Sequence, residues 1–582
     1  MVFPERPLPK VVRPLPSQKH LFPTPPWIKY TVRKPYSIGW IIGGTVAGLY
    51  IYDNKFQAST GVRTIRTLWT GLVVTLDFKW NFSPGKSEKI NELHERTATR
   101  VSNLINENAG LYIKLGQQLG TQAAVLPPAY RKPFSSFSDA APVVSFDEIL
   151  PVFIKEFGAH PDELFDSFER TPIASASIAQ VHKAKLKDGR EVAVKVQKPA
   201  IEKQVEWDLW SYRTMMWCMQ AVFDYPTYFV ASYVSEQMRR ETDFRIEADN
   251  SRRTDQFLSK TPSLQGQVYI PKVYPQYSGE RIMTMEYVNG CRINDREQLD
   301  KWDFRGGLRR TMDIVLDLFA CQTFEWGWVH CDPHPGNILV RPNPENPRYP
   351  QVILIDHGLY IPLSEKFRTE YSALWRSLFV LDIGTIEKTA RAWGVTFDSD
   401  MFASAILLRP TRLRASKKAP KSEEILKREQ MTEYELQVDM KRRLKALLEN
   451  EQLIPRELIF LVRAQRMLQA ANQGLGSPSN RVNITAKWAA KGYALTSPTA
   501  NQSIYQVGLS AYLRDLQQIW LFEATLKLID IGFWTNKLYQ WVTELVTGKT
   551  EGGLEERLQK QFEAMAKEEF GIDLDETAAF EG

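Results

Sequence analysis

The sequence predicts an α+β protein with helical segments on both sides of a mixed region. Residues 172–199 form a predicted β-hairpin, in which strand alternation places Val192, Val194 and Val196 on one face and Lys195 on the other. Helical spacing of apolar residues is found elsewhere, beginning with residues 90–122. A chain of 582 residues can bury more than one core, so two or three domains are expected.

Composition and charge exclude several classes of protein. Hydrophobic residues make up 43% and charged residues 24% of the chain, as in an ordinary globular protein. The net charge of +6 is mild and no dense Lys/Arg stripe with interleaved aromatic residues occurs, so nucleic acid is not an expected partner. Cys218, Cys291, Cys321 and Cys331 are far apart and lack CxxC spacing, which supports neither a zinc site nor a disulfide framework.

Residues 35–55 are predicted to form one transmembrane helix. No residue from 35 to 52 is charged, and at ~1.5 Å per residue an 18-residue helix is roughly 27 Å long, enough to cross a hydrocarbon core. A buried or interfacial helix is the alternative. Two pairs of small residues at i, i+4 spacing predict helix-mediated self-association, namely Gly39/Gly43 and Gly44/Gly48.

Two segments flank this helix. Residues 1–34 contain seven Lys/Arg and one acid, Glu5, a basic composition compatible with mitochondrial targeting, although the many prolines weaken an amphipathic presequence. Residues 56–89 are predicted to be a membrane-proximal amphipathic segment, which either lies on the membrane or packs on the body of the protein. If residues 35–55 span the membrane, the basic end is expected in the matrix and the large domain on the far side of the inner membrane.

A metal-binding and catalytic motif is predicted in residues 330–358. His330, Asp332 and Asn337 have the spacing of a protein kinase catalytic loop, and Asp356 opens a DFG-type turn. Asp356 and Asn337 are the predicted metal ligands, while Asp332 is expected to orient or deprotonate an acceptor hydroxyl. A Pro-rich surface loop with a metal-free Asp is the alternative for this stretch alone.

The predicted hairpin supplies the nucleotide-binding residues. Lys195 projects where the β3 lysine of a kinase meets the α- and β-phosphates, and Glu247 is the acid expected to pair with it. Residues 174–177 replace the usual Gly-rich loop with Ala174, Ser175, Ala176 and Ser177. Their side chains should hinder the closest approach of the backbone to phosphate. Residues 283–290 end a strand as a hinge between lobes should, with Glu286 and Val288 as predicted nucleotide contacts.

A second set of polar residues surrounds this predicted site. Lys114 and Gln117 belong to a KxGQ sequence on the polar face of the first long predicted helix. Residues 236–253 form a charged helical stretch, most of which is expected to face solvent. Glu241 and Asp243 in this stretch are predicted to meet Lys114, which would lay the KxGQ helix across the cleft.

These motifs resemble those of the UbiB family of atypical kinases, the aarF-domain proteins of bacteria, mitochondria and plastids. The resemblance extends from about residue 90 to about residue 476. It implies an α+β, atypical protein-kinase-like two-lobe fold with extra N-terminal KxGQ helices and an α-helical C-terminal extension. In this family the KxGQ helix packs over the site where a protein substrate would otherwise lie. The five ordered motifs are KxGQ at Lys114, the Ala-rich loop at Ala174, the lysine Lys195, ExD at Glu241, and the His330 loop with Asp356.

The resemblance also implies cofactors and an activity. ATP (or ADP) and Mg²⁺ are the expected cofactors, for ATP hydrolysis or phosphorylation of a small or lipid-like molecule in mitochondrial quinone and lipid homeostasis. His357 in the DFG position, with Leu359 and Tyr360 after it, resembles the inner-membrane branch that influences quinone distribution. With the orientation expected for residues 35–55, the kinase-like domain would face the intermembrane space. Ser175 departs from an all-Ala run, so the nucleotide preference is open. A catalytically weak pseudokinase acting as a nucleotide-gated lipid or quinone binding module is the alternative, and a protein Ser/Thr kinase is third.

The predicted domain boundaries follow from these motifs. Within the kinase-like domain at 90–476, the KxGQ extension occupies 90–170, the N-lobe 171–288 and the C-lobe 289–476. Residues 477–582 are predicted to be a helical extension with an acidic tail beyond Gly552. Further predicted elements are a basic loop at 411–430 and helices at 431–450, 455–471 and 507–546.

Overall fold

A computed structural model describes residues 35–120, 128–135, 137, 142–223, 228–394, 399–408, 411, 455–496 and 509–547, with a few single positions between 431 and 442 and at 560. The predicted targeting segment 1–34 lies outside the described residues, as do nearly all of the acidic tail, of the predicted loop 411–430 and of the predicted helix 431–450.

The smaller lobe contains an antiparallel sheet in the order β1-β3-β4-β6, with β2 added on β3. Helices α6 and α7 precede it, and the Val192, Val194 and Val196 face of β4 packs against α6 in an apolar core. The other face of β4 presents Lys195 to the cleft between the lobes. The bounds are α6 Phe146–Phe157, α7 Pro161–Leu164, β1 Ser167–Phe168, β2 Ala174–Ser175, β3 Ala179–Lys185, β4 Glu191–Gln197 and β6 Ile282–Glu286.

The larger lobe is mainly helical and holds two small sheets. One has the order β5-β10-β9-β7, and the other pairs β8 with β11. The strand bounds are β5 Val268–Tyr269, β7 Cys291–Arg292, β8 Trp328–His330, β9 Ile338–Pro342, β10 Pro350–Leu354 and β11 Tyr360–Pro362. The helices are α11 Arg296–Lys301, α12 Gly307–Cys321, α13 Glu365–Val380, α14 Ile383–Ala392, α15 Ser399–Leu407, α16 Arg456–Gly474, α17 Arg481–Thr496 and α18 Leu509–Thr547.

Helices on the N-terminal side and between the lobes complete the fold. They are α1 Pro35–Phe56, α2 Thr60–Asn81, α3 Ile90–Asn108, α4 Leu111–Gly120, α5 Pro128–Ser135, α8 Pro199–Phe223, α9 Tyr228–Glu241 and α10 Phe244–Leu258. Together, α3, α4 and α5 share a core with α8 and α9, which includes Leu115, Phe137, Leu209 and Met238. The KxGQ helix is therefore built into the lobe that carries Lys195.

Two helical stretches expected to be continuous are broken. Residues 90–122 divide into α3 and α4 at Ala109 and Gly110, whose φ angles of 51° and 53° lie in the left-handed region that ends helices. Residues 236–253 divide into α9 and α10 because Asp243 adopts extended backbone and its side chain accepts from Arg245 N, capping α10. Both breaks lie next to predicted site residues.

The segment predicted to be membrane-proximal packs on the body of the protein. Arg63 of α2 is buried and its Nε donates to Asp208 Oδ1 of α8 at 3.0 Å. Thr67 Oγ1 lies 2.6 Å from Tyr112 Oη on the KxGQ helix, and Tyr112 Oη lies 2.9 Å from Ser211 Oγ. One buried polar network thus joins α2, α4 and α8.

The transmembrane prediction for residues 35–55 is not supported. The helix α1 is present, but no helix in the described part of the chain combines the length and apolar composition that a membrane span needs. The physical reason is dilution of the apolar residues by four glycines and by polar residues, including Asp53 and Lys55 in the last turn. Self-association through Gly39/Gly43 and Gly44/Gly48 depended on that span and is likewise unsupported.

The core of the larger lobe continues beyond residue 476. Val482, Ala486 and Trp488 of α17 pack in the same apolar core as Trp375 of α13, and Phe522 of α18 also belongs to this core. The first helices after the predicted domain boundary therefore complete the C-lobe.

Candidate nucleotide site

Three charged groups from different elements meet in the cleft. Lys195 Nζ on β4 donates to both carboxylate oxygens of Glu247 on α10, at 2.7 and 2.8 Å, and lies 3.3 Å from Asp356 Oδ2. Phe244 lies beneath the amine, 5.2 Å from ring centroid to Nζ. Burial disfavours the charged amine, but Asp356 and Glu247 outweigh it and raise the pKa of Lys195. Lys195 therefore stays a cation, as phosphate binding requires.

The predicted catalytic loop follows β8, and Asp356 precedes β11, so the pairing of these strands brings the two segments together. His330 fixes the arrangement, because its Nε2 lies 2.9 Å from the carbonyl oxygen of Asp356. Asn337 Nδ2 donates to the carbonyl oxygen of Asp332 at 3.1 Å and to Asp332 Oδ2 at 3.4 Å. Hydrogen bonds thus join the two segments that carry Asp332, Asn337 and Asp356, the side chains predicted to contact the metal and the acceptor.

The turn after Asp356 is held by buried histidine contacts. His357 Nδ1 lies 2.9 Å from Tyr360 Oη, its Nε2 lies 3.1 Å from Leu354 O, and Asn250 donates to its carbonyl oxygen at 2.9 Å. Burial, with His330 adding to it, lowers the pKa of His357 to about 3. A neutral imidazole here accepts from Tyr360 and donates to Leu354, which fixes the backbone that aims Asp356.

Asp356 and Asn337 have the donor chemistry that Mg²⁺ accepts. The Asp356 side chain is 37% exposed, and Gly358 N donates to its Oδ1 at 2.9 Å. Burial opposes its ionisation, but Lys195 and Lys114 outweigh it and hold the pKa of Asp356 well below its usual range. The Asn337 amide nitrogen is engaged with Asp332, which leaves the oxygen as the atom suited to a cation. One carboxylate and one amide fit a metal completed by phosphate oxygens and water.

Arg463 was not predicted as a site residue. It lies on α16, and its Nη2 donates to Asp332 Oδ1 at 2.8 Å. Burial raises the pKa of Asp332, but Arg463, Lys114 and His330 outweigh it, so the net direction is downward. Sequence analysis could have found Arg463 only from the resemblance, which extends to about residue 476.

The KxGQ helix reaches the cleft through one of the two predicted acids. Lys114 Nζ lies 3.5 Å from Glu241 Oε2, and its charge lowers the pKa of both Asp332 and Asp356. Gln117 lies one turn further along α4, on the same side. Asp243 does not pair with Lys114 as expected, because its carboxylate caps α10 and binds Arg245 at 2.8 Å.

The Ala-rich loop is anchored at several points. Ala174 and Ser175 form β2 and pair with β3, Ser175 Oγ donates to Pro142 O at 3.2 Å, and Ser177 is buried. Lys198 Nζ donates to Ala176 O at 2.7 Å and to Pro142 O at 2.9 Å. Burial lowers the pKa of Lys198 to about 8.

The predicted hinge joins the sheets of the two lobes. Glu286 ends β6, and Tyr269 Oη of β5 donates to its Oε2 at 2.5 Å. Val288 is buried at the crossing between lobes. The Glu286 carboxylate therefore already accepts a hydrogen bond from Tyr269. The nucleotide contacts predicted for Glu286 and the other site residues stay predictions.

The fold and the arrangement of these side chains define an atypical kinase-like protein with two lobes. An ABC1 atypical kinase-like domain matches residues 136–390. The chain is 38% identical to an ABC1 family protein of Schizosaccharomyces pombe over 462 residues, covering 79% of this chain and 84% of the relative. It is 30% identical to AarF domain-containing protein kinase 1 of Xenopus laevis over 512 residues, covering 85% of this chain and 96% of the relative.

The chain therefore belongs to the ABC1 family of atypical kinase-like proteins, the UbiB or aarF-domain family that the sequence motifs indicated, and that prediction is confirmed. Among solved structures it is similar to the erythromycin complex of Rv3197 from Mycobacterium tuberculosis, with a TM-score of 0.42 and 21% identity. That similarity covers 72% of this chain and all of the other.

Proposed function

We propose that this protein binds ATP with Mg²⁺ and uses it as a kinase or ATPase acting on a small or lipid-class ligand in quinone or lipid homeostasis. The contact of Lys195 with both Glu247 and Asp356 is the observation that carries the proposal. A cation beside a partly exposed carboxylate is the pairing that binds a metal-bound triphosphate. Bound Mg²⁺ would supply charge neutralisation at the phosphates.

The position of Asp332 supports transfer or hydrolysis. Its carboxylate shares one loop with Asn337 and accepts from Arg463 at 2.8 Å. Orientation of an acceptor hydroxyl or of water by such a carboxylate is the catalytic role expected in phosphoryl transfer.

The KxGQ helix supports a ligand smaller than a polypeptide. Lys114 of α4 contacts Glu241 and acts electrostatically on both Asp332 and Asp356, so α4 lies near the cleft. We expect it to obstruct an extended peptide there, which favours a compact or lipid-like acceptor. The basic, acid-poor residues 1–34 support a mitochondrial location, whereas the inner-membrane placement and its orientation stay predictions.

A nucleotide-gated binding module is the second candidate, and the Arg463 contact favours it. A carboxylate bound to a guanidinium, with its pKa held below its usual range, is a weak base. In this second proposal, nucleotide binding at Lys195 and Asp356 would control access of a quinone or phospholipid without phosphoryl transfer.

ATP hydrolysis with Mg²⁺, with and without a quinone analogue in detergent, tests these proposals on the native protein, Asp332→Asn and Asp356→Asn. The enzyme proposal expects turnover in the native protein alone, with nucleotide-dependent thermal stabilisation lost only in Asp356→Asn. Stabilisation with the same pattern but no turnover would favour the binding module, and equal hydrolysis in all three would overturn the enzyme proposal. Labelling of added casein, but not of lipid, would point to a protein acceptor instead.

A further inference from the structure

The C-terminal helix α18 carries an exposed apolar stripe with a seven-residue repeat. The stripe alternates steps of three and four residues over 25 residues, about 36 Å at 1.5 Å per residue. Its large members are strongly exposed, with Leu528 at 67%, Leu538 at 60% and Leu545 at 69%. We call this stripe the α18 seam: Leu521, Ala524, Leu528, Ile531, Thr535, Leu538, Val542 and Leu545.

The opposite side of α18 already has its partners within the chain. Phe522 packs edge-to-face on Phe379 of α13, at 5.8 Å between ring centroids. Asn480 donates to Asp530 Oδ1 at 2.9 Å, and Lys537 donates to Gly476 O at 2.8 Å. The body of the protein thus holds α18 by one face and directs the α18 seam outward.

The repeat indicates another helix as the partner. A straight α-helix drifts by about 20° per heptad from a strict seven-residue repeat, so a sustained repeat of this kind matches a supercoiling helix rather than a flat surface. Helices that lie on lipid have polar faces rich in Lys and Arg. The described charged residues of α18 are instead balanced in sign: Glu523, Lys527, Asp530 and Lys537.

We propose that the α18 seam pairs with the α18 seam of a second copy of this chain, in antiparallel orientation about a two-fold axis. In this register all eight positions are paired, and the small Ala524 and the polar Thr535 each meet a larger apolar residue. Trp534 lies next to the axis, and Lys527 lies beside Trp541 of the other copy, a cation–π pair. The four layers are Leu521 with Leu545, Ala524 with Val542, Leu528 with Leu538, and Ile531 with Thr535.

The parallel alternative is poorer. It would place Ala524 on Ala524 and Thr535 on Thr535, leaving two layers with little apolar contact.

The exposed apolar area of α18 is also large enough for a dimer interface. Trp520 and Trp541 flank the α18 seam and are exposed, and Trp534, on which Arg309 stacks, is 45% exposed. Aromatic side chains bury about 150–250 Å² each when fully covered. With the leucines they supply an area on the order of the 800 Å² per partner that a stable interface needs.

Sedimentation velocity and light scattering on the full chain, over a range of micromolar concentrations without lipid, test the proposal. We expect the native chain to be a dimer. Leu528→Glu should raise the dissociation constant of the dimer by at least about 100-fold, since the glutamate would face Leu538 of the other copy. The double variant Leu528→Glu/Leu538→Lys should restore the dimer, because only the antiparallel order sets each glutamate opposite a lysine. Glu523→Lys, an exposed charge change outside the α18 seam, should stay dimeric.

A cross-link supplies an independent measurement. In a Cys218→Ser background, Trp534→Cys should form an intermolecular disulfide under mild oxidation, because residue 534 lies at the axis, while Lys527→Cys should not. A native chain that is monomeric at every concentration, a dimer unaffected by Leu528→Glu, or a double variant that is not restored would each overturn the proposal. A monomer that sediments with phosphatidylcholine vesicles and loses this binding in Leu528→Glu would identify a lipid surface instead.

Discussion

Arg463 determines the chemical state of the carboxylate expected to take the acceptor proton. The guanidinium donates to Asp332 Oδ1 at 2.8 Å, and Asn337 approaches the other oxygen. Two donors fix the orientation of Asp332, while the positive charge lowers its pKa. Orientation favours catalysis and a lower pKa weakens the base, so the balance is open to measurement.

Replacement of Arg463 by glutamine should move the acid limb of the pH–activity profile to higher pH. Arg463 is one of the charges that lower the pKa of Asp332, so its removal raises that pKa and the carboxylate protonates earlier as pH falls. The lost charge-assisted hydrogen bond, about 1.5–3 kcal/mol, should reduce kcat/KM by about tenfold to a hundredfold. Steady-state ATP hydrolysis between about pH 4 and 9 measures both effects, because the variant should gain an acid limb in this range, whereas the limb of the native protein lies below it. Arg456→Gln, an exposed change on the same helix, is the control, and an unmoved acid limb would contradict the assignment.

His357 should make the protein less stable in acid. Its pKa is about 3 in the folded chain against about 6.5 when unfolded, so the unfolded chain binds the extra proton between these values. Stability is therefore complete above about pH 6.5 and falls as pH decreases, by up to about 1.4 kcal/mol per pH unit.

Urea unfolding at pH 7.5, 6, 5 and 4 measures this dependence. The variant His357→Gln should show a shallower decline than the native chain, whatever its stability at pH 7.5. Parallel declines in the two proteins would show that other groups cause the acid sensitivity.

Residues within one local pattern could be placed from sequence, whereas those that meet through tertiary packing could not. Strand alternation was enough to predict that Lys195 faces the cleft. Kinase-like spacing was enough to predict that Asp332 and Asp356 lie in one site. Arg463 contacts a carboxylate 131 positions away, and no periodicity of α16 separates it from an ordinary surface arginine. The predicted contact of Asp243 with Lys114 was wrong because the Asp243 carboxylate accepts from the backbone N–H of Arg245 and caps α10. The charge pattern of the sequence does not reveal such a cap.

At the scale of elements, apolar periodicity located the helices but not their breaks. The period of α3 continues smoothly into α4, and only the left-handed φ angles of Ala109 and Gly110 separate them. The sequence also left open whether α2 lies on a membrane or packs on the body of the protein. Its buried Arg63 looks, in sequence, like a residue facing lipid headgroups or water, yet it pairs with Asp208.

The pair of Arg63 and Asp208 should show the behaviour of a buried ion pair. Arg63→Met should lower the free energy of unfolding by about 3–5 kcal/mol, since it leaves the Asp208 carboxylate buried without its partner. The double variant Arg63→Met/Asp208→Leu should recover most of that loss. Urea unfolding followed by tryptophan fluorescence measures both.

The exposed pair between Arg239 of α9 and Glu206 of α8 provides the matched control. Arg239→Met should change the free energy of unfolding by less than about 1 kcal/mol, as for other solvent-exposed ion pairs. An equal loss in Arg63→Met and Arg239→Met would mean that burial of the α2 contact is unimportant.

At the scale of the whole molecule, the order of the motifs predicted the two-lobe architecture. It could not predict whether α1 spans a membrane or where the C-lobe ends. Hydropathy could not decide for α1, because glycines dilute its apolar residues. The motifs stop near residue 476, but the core that supports them does not, since Trp488 packs with Trp375. Residues that pack in the core without catalytic chemistry, such as Trp488, do not belong to a motif that can be recognised in the sequence.

A chain ending at Gly476 should therefore fail to unfold cooperatively. It would lose Val482, Trp488 and their neighbours from the C-lobe core, and removal of one large buried side chain alone costs about 3–5 kcal/mol, against a total stability of about 5–15 kcal/mol. A chain ending at Thr496, which keeps α17, should retain a cooperative transition at lower temperature. Calorimetry distinguishes these outcomes, and equal transitions in the full chain and the shortest one would contradict the expectation.

The junction between α9 and α10 places two contacts of the cleft on one short stretch of backbone. Glu241, which holds Lys114, and Glu247, which holds Lys195, are six residues apart, and Gln197 beside Lys195 donates to Thr242 O between them at 2.8 Å. A molecule that lifts α4 would therefore pull on the backbone that supports Lys195, the lysine predicted to bind phosphate. Thermodynamic reciprocity then requires that nucleotide change the affinity for that molecule by the same factor by which the molecule changes the affinity for nucleotide.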